Sequence, residues 1–223
     1  MYYILLIIAL LITLGAQAYI KSTYSKYSRV KNTSNLTGYE AARKILDNNG
    51  LANIDVIEVP GTLSDHYDPN KKHVALSSAN YNESTISAIS VAAHECGHAI
   101  QDKENYTFMR IRSSLVPIVN ITSYAGYFAM ILGAILGALN VIFIGIIAEV
   151  AILVFQLITL PVEFDASRRA LKEAEKYTIL NKNELKQGKT VLTSAALTYV
   201  ASVATAIIEL IRLIIIYGNR RED

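Results

Sequence analysis

The chain has a single cysteine, Cys96, so an intramolecular disulfide framework is excluded and a reducing compartment such as the cytosol fits. Charge is also sparse. Only 18% of the 223 residues are charged against 52% hydrophobic, and the net charge is +2. No basic stripe with interleaved aromatics occurs, so no nucleic-acid partner is expected. Internal repeats and low-complexity tracts are likewise missing. Charge is lacking most completely in three blocks: residues 2–20, residues 113–162 with Glu149 as the one exception, and a run from Val191 to Ile208 that continues past Glu209 and Arg212 to Tyr217. About 19 helical residues at ~1.5 Å each cross the ~30 Å hydrocarbon layer, so the first block is long enough to span once and the second twice.

The first block has no basic residue before its apolar core, and Lys21, Lys26, Arg29 and Lys31 follow it. That pattern favours an uncleaved anchor over a signal peptide and places residue 21 onward on the cytoplasmic side. Arg110 and Arg112, and later Arg168, Arg169 and Lys172, agree with that orientation. The expected division is an anchor at 1–20, a domain outside the membrane at 21–112, two membrane helices at 113–162 joined near Leu139–Asn140, a further helix at 163–190, a C-terminal membrane helix at 191–217 and a tail at 218–223. The last block either spans or lies at the interface.

Within 21–112, "LTGYEAARKILDNNG" predicts a short helix with a capping box, Thr37 with Glu40, and a stop at Gly50. "IDVIEV" and "HVALS" predict two short strands between residues 54 and 77, and "HVALS" is the expected edge for pairing with an extended peptide. From Ser84, expected as the cap, "TISAISVAAHECGHAIQ" has helical apolar spacing.

That helix carries the chemistry. Positions four apart lie about 40° apart on a helix, so His94 and His98 share a face and can reach one ion. Glu95 sits about 100° further round, suited to act as base on a water bound to the ion. Gly97 leaves room beside the pair for another backbone. A tetrahedral catalytic site needs a third protein ligand, and no third histidine follows His98. A downstream carboxylate is the remaining choice, and Glu163 in "PVEFDASRRA" fits best, on a helix expected to begin at Pro161.

Taken together, "LSDHYDP", "VAAHECGHAIQ", "LVPIVNI", "TLPVEFDASRRAL" and "AALTYVA" resemble the YugP-type membrane zinc metallopeptidases over nearly the whole chain. The resemblance implies a gluzincin-like enzyme in a bacterial cell membrane, similar in plan to thermolysin and, in its membrane setting, to HtpX. It implies one zinc per chain on His94, His98 and Glu163, with Glu95 as base. Where that pattern has an aspartate four residues after the ligand glutamate, this chain has Ser167, and its nearest aspartate is Asp165. Ser167 and Asp165 are therefore the candidates for orienting a zinc histidine.

Other residues are weighed against plainer roles. Cys96 lies about 200° from His94 and is expected to pack as a small apolar group. His66 and Tyr67 are candidate oxyanion donors or loop hydrogen-bonding groups, and His73 is expected to be exposed. Glu149 either pairs across helices, with Arg212 as one partner, or lines a polar cavity, while Glu209 and Arg212 are spaced to pair locally. The expected fold is mainly α, with integral membrane helices around a small α+β zinc-metalloprotease domain. The expected activity is endopeptidase hydrolysis of membrane or membrane-proximal proteins through a zinc-activated water, with the bilayer and a protein or peptide substrate as partners. A non-catalytic zinc-binding scaffold or sensor is the alternative, and a metal transporter is disfavoured because the histidines lie outside the apolar blocks.

Overall fold

The computed structural model describes residues 2–217, so the tail expected at 218–223 lies outside the described residues. In chain order the elements are α1 (Tyr2–Tyr27), α2 (Gly38–Asn48), β1 (Asp55–Val59), β2 (His66–Asp68), β3 (His73–Ser77), α3 (Ser78–Asn82), α4 (Ile86–Lys103), α5 (Thr107–Leu136), α6 (Leu139–Lys176) and α7 (Lys182–Tyr217). The protein is mainly α with a small α+β portion. Among the described residues it divides into two compact units: residues 2–17 with 110–161 and 197–217, and Ala18–Met109 with Val162–Ala196.

In the first unit, α1, α5, α6 and α7 contribute the four helices that, among the described residues, are long and apolar enough to cross a membrane. Ile121, Ile135 and Ile147 are each about 70% exposed, as expected of side chains that face lipid rather than water. The turn between α5 and α6 is only Gly137–Ala138. Gly137 has φ +65°, and the Ala138 N–H closes on the Gly133 carbonyl at 2.9 Å, a helix stop that a left-handed glycine permits. Small residues let the hairpin close: a Cβ on Gly126 would stand 2.4 Å from the Ala148 Cβ. Glu149 lines a polar cavity of about 370 Å³ with Ser123, Gln156, Ser202, Thr205 and Glu209. Arg212 is instead paired within α7, its Nε 2.7 Å from Glu209 Oε2.

The second unit is built on α2 and α4. The capping box is present, with Thr37 Oγ1 accepting from the Glu40 N–H at 3.2 Å and Glu40 accepting from the Thr37 N–H at 2.8 Å. Such a cap contributes about 1 kcal/mol. The buried side chains of Ile45 and Leu46, on the face turned to α4, contribute about 1.5–3 kcal/mol each, so packing rather than capping holds α2.

Three expectations need correction here. The sheet has three strands in the order β1-β3-β2, with β1 parallel and β2 antiparallel to β3. "HVALS" is therefore the central strand, not an edge, which explains why four of its five residues are buried. The missed strand, β2, spans three residues with only Tyr67 buried, too short for an alternation to register. The cap of α4 is Thr85, whose Oγ1 accepts from the Ala88 N–H at 3.3 Å; the Ser84 hydroxyl donates instead to the Asn35 carbonyl at 3.0 Å. Finally, no helix begins at Pro161, because α6 runs unbroken through it. Proline removes one N–H from the ladder, and that single loss is outweighed by a helix of 38 residues.

Candidate metal centre

Gly97 sets how closely α4 and α6 approach each other. A Cβ there would lie 2.5 Å from the Ala166 carbonyl oxygen and 3.2 Å from the Ala166 Cα. The backbone of α6 thus occupies the room that a side chain at position 97 would need. This contact brings Glu163, one turn before Ala166, to the face of α4 that carries His94 and His98.

Glu163 Oε2 lies 3.3 Å from His94 Nε2 and 3.6 Å from His98 Nε2, and one ligand atom from each residue falls within 4.8 Å of the others. At zinc-ligand distances of about 2.0–2.1 Å, two ligands of a tetrahedral ion stand about 3.3 Å apart. The two distances from Glu163 are close to the edges of such a tetrahedron, and two imidazoles with one carboxylate are a zinc donor set with a fourth position left over. Glu163 is 2% exposed and His98 6%, whereas His94 is only partly buried and forms the open side.

Both imidazoles are held from behind. Gln101 Nε2 donates to the Val162 carbonyl at 2.9 Å and to Asp165 Oδ2 at 3.0 Å, and both partners are acceptors only. Its Oε1 must then face His98 Nδ1, 3.0 Å away, and can only accept. His98 therefore carries its proton on Nδ1, which leaves the Nε2 lone pair directed at Glu163. Ser167 Oγ lies 3.2 Å from His94 Nδ1 and can accept in the same way. Asp165 reaches a histidine only through Gln101, and Arg169 at 2.5 Å, together with Arg168, anchors it. Gln101 was not singled out from the sequence, although a fully buried polar residue three positions after His98 on the same helix is the signal that marks it.

Glu95 is 7% exposed. Burial pushes its carboxyl up to about 7; the Glu163 and Asp65 carboxylates add to the rise, while His94 and the Tyr67 backbone N–H oppose it. The contribution of Tyr67 near Glu95 is thus its main chain. Its hydroxyl donates to Asp102 Oδ2 at 2.8 Å. His66 is exposed, with Nδ1 2.8 Å from the Ser64 carbonyl and its ring edge-on to the half-buried His73. Neither side chain hydrogen-bonds to His94, Glu95 or His98. Cys96 is fully buried with Sγ 3.7 Å from the Ala42 carbonyl, and burial pushes its thiol well above the usual range, so it packs as an inert small group. Asp65, also unremarked in the sequence, receives the Ser77 N–H at 2.7 Å and Asn80 Nδ2 at 3.0 Å, pinning the end of β3 close to Glu95.

Residues 2–218 match the family described as "Putative neutral zinc metallopeptidase". Among curated proteins, "Putative membrane protease YugP" of Bacillus subtilis (strain 168) is 45% identical over 219 residues, covering 98% of this chain and 97% of that relative. No solved structure matches the chain.

Proposed function

Starting from a chain that belongs to the neutral zinc metallopeptidase family, we propose a membrane-embedded metalloendopeptidase in which His94, His98 and Glu163 hold one zinc ion and Glu95 is the catalytic base. The observation that carries this is the spacing of the three ligand atoms, with a buried carboxylate on the neighbouring residue. Bound zinc supplies Lewis acidity, lowering the pKa of water and polarising a carbonyl. The chain's own residues do the rest. Gln101 and Ser167 hold the two imidazoles in the ligating tautomer. Glu95 takes the proton of the attacking water and delivers it to the leaving amine, a role suited to a carboxyl lifted toward neutral pH. A scaffold or sensor would have no use for a buried carboxylate beside the ligands, where it costs solvation. Membrane or membrane-proximal proteins are the proposed substrates, supported by the four apolar helices and by a relative described as a membrane protease.

Purified protein in detergent should hydrolyse unstructured peptides, lose that activity with 1,10-phenanthroline, and regain it on addition of about one equivalent of zinc. Hydrolysis that survives complete removal of metal would overturn the proposal.

The site is proposed to face the cytoplasm of a bacterial cell, since Lys21, Lys26, Arg29 and Lys31 follow the first apolar block with no acid among them. In intact cells, Asn105→Cys should resist a membrane-impermeant thiol reagent and react once the membrane is broken. Labelling from outside would reverse the topology.

A further inference from the structure

The chain has four histidines, and the fold gathers them into two pairs. His94 and His98 serve the proposed zinc ion. His66 and His73, from "LSDHYDP" and "HVALS", have no role there. Side chains alternate along a strand, so the buried Val56, Tyr67 and Val74 mark the inner face of the sheet, and the residues on either side of each mark the outer one. On that outer face the register sets Asp55 of β1, His73 of β3 and Asp68 of β2 directly opposite one another in a single row. His66, two residues before Asp68, shares the face. Directly opposed side chains have Cβ atoms about 4.5–5.5 Å apart, so two imidazoles and two carboxylates stand within reach of one another. Of the adjoining lysines, Lys72 is turned to Asp102 at 2.6 Å, and Lys71 makes only a 4.0 Å contact with Asp68 Oδ2.

We propose that His66 and His73, with the carboxylate of Asp68, form a second metal site that takes one divalent transition-metal ion of the zinc, copper or nickel class. The proposal does not depend on the peptidase reading. Ring geometry carries it. The two ring centres are 5.9 Å apart and the planes meet at 65°. Two imidazoles on one tetrahedral ion, each bound at about 2.0–2.1 Å through nitrogen, have ring centres about 5 Å apart. The His94 and His98 rings, 4.7 Å apart, fall just to the other side of that value. The tautomer of His66 is also set: its Nδ1 lies 2.8 Å from the Ser64 carbonyl and must donate, which leaves the lone pair on Nε2, as in histidines oriented for a metal. Neither nitrogen of His73 is hydrogen-bonded among the described residues, so a turn of this half-buried side chain costs no bond. Asp68 Oδ1 accepts from the Asn70 and Lys71 N–H groups at 2.9 and 3.1 Å, which leaves Oδ2 for an ion. The Lys71 N–H above all, and then that of Asn70 and the charges of Lys71 and His73, hold this carboxyl below the usual carboxylate range. Two imidazoles and a carboxylate suit zinc, copper or nickel better than magnesium or calcium. An ion there would tie β2, only three residues long, to β3, and the Tyr67 main chain that reaches Glu95 lies between two of its ligands.

The test uses the full-length protein in detergent, without a polyhistidine tag. Equilibrium dialysis against buffered zinc should find two equivalents per chain, the second half-saturated on the order of 1–10 µM free zinc, weaker than a four-ligand structural site. His66→Ala and His73→Ala should each weaken that second equivalent by more than about tenfold and leave the first unchanged, and Asp68→Asn should weaken it about tenfold. In His94→Ala/His98→Ala protein the other two histidines are the ones left, so bound Cu²⁺ should show coupling to two imidazole nitrogens by electron paramagnetic resonance. Adding His73→Ala should reduce the coupling to one. Zinc binding that is unchanged in both His66→Ala and His73→Ala up to about 100 µM overturns the site. So does a weak equivalent that disappears with His94 and His98, which would assign it to the metal centre, or a copper spectrum without nitrogen coupling. If zinc binding is lost with His66 or His73 but is untouched by His94→Ala/His98→Ala, this site stands and the proposed zinc centre falls.

Discussion

Glu95→Gln protein should bind zinc as the wild type does and lose peptide hydrolysis by at least about 10²–10⁴-fold, the usual contribution of a positioned general base. The amide preserves the shape of a side chain that is 7% exposed and packed within α4, so folding and the spacing of His94, His98 and Glu163 should survive. What disappears is the only group on the neighbouring residue able to accept a proton. The fall should be in kcat, with KM little changed, because a base acts in the transition state and not in binding. Zinc content by plasma emission spectroscopy, alongside single-turnover hydrolysis, separates the outcomes. Near-normal activity with full zinc would remove Glu95 from the mechanism. Loss of zinc with activity would mean that Glu95 supports the metal centre itself.

Glu163→Ala should release the metal. Losing an orienting partner behind a ligand typically weakens zinc 10–100-fold, and losing one of three protein ligands should exceed that, a drop of more than about 100-fold. The two imidazoles would remain, oriented by Gln101 and Ser167, but two ligands leave half of the tetrahedron to water. Competition with a chromophoric zinc chelator reads the affinity without any reference to hydrolysis. Unaltered affinity would disqualify Glu163 as a ligand. Asp165 could not simply take its place, since its carboxylate is occupied by Gln101, Arg168 and Arg169.

Where sequence reasoning succeeded, the signal was local. Thr37 and Glu40 marked a helix start because a capping box closes within one turn, and the apolar blocks declared themselves because a bilayer needs about 20 apolar residues in succession. Pro161 misled because a proline that begins helices elsewhere can also sit inside a long one, and nothing within a few residues distinguishes the two. β2 was invisible for a related reason: three residues form a strand only because β3 offers a free edge to "HYD". Thr85 took the cap expected of Ser84 because the Ser84 hydroxyl is engaged by Asn35, 49 positions earlier in the chain.

The sequence by itself determined that His94, Glu95 and His98, the proposed donor pair and base, share one helix at that separation, since the spacing follows from 3.6 residues per turn and needs no tertiary contact. It also marked three apolar blocks, the first long enough to cross a membrane once and the second twice. Only the tertiary structure decided how the centre is completed. Glu163 comes within 3.3 Å of His94 across 69 residues because Gly97 lets the backbone of α6 lie against α4, and Gln101 assigns the proton of His98 because Val162 and Asp165 of α6 claim its amide nitrogen. Those are relations between helices, and a helix repeat carries no information about which other helix will be placed against it.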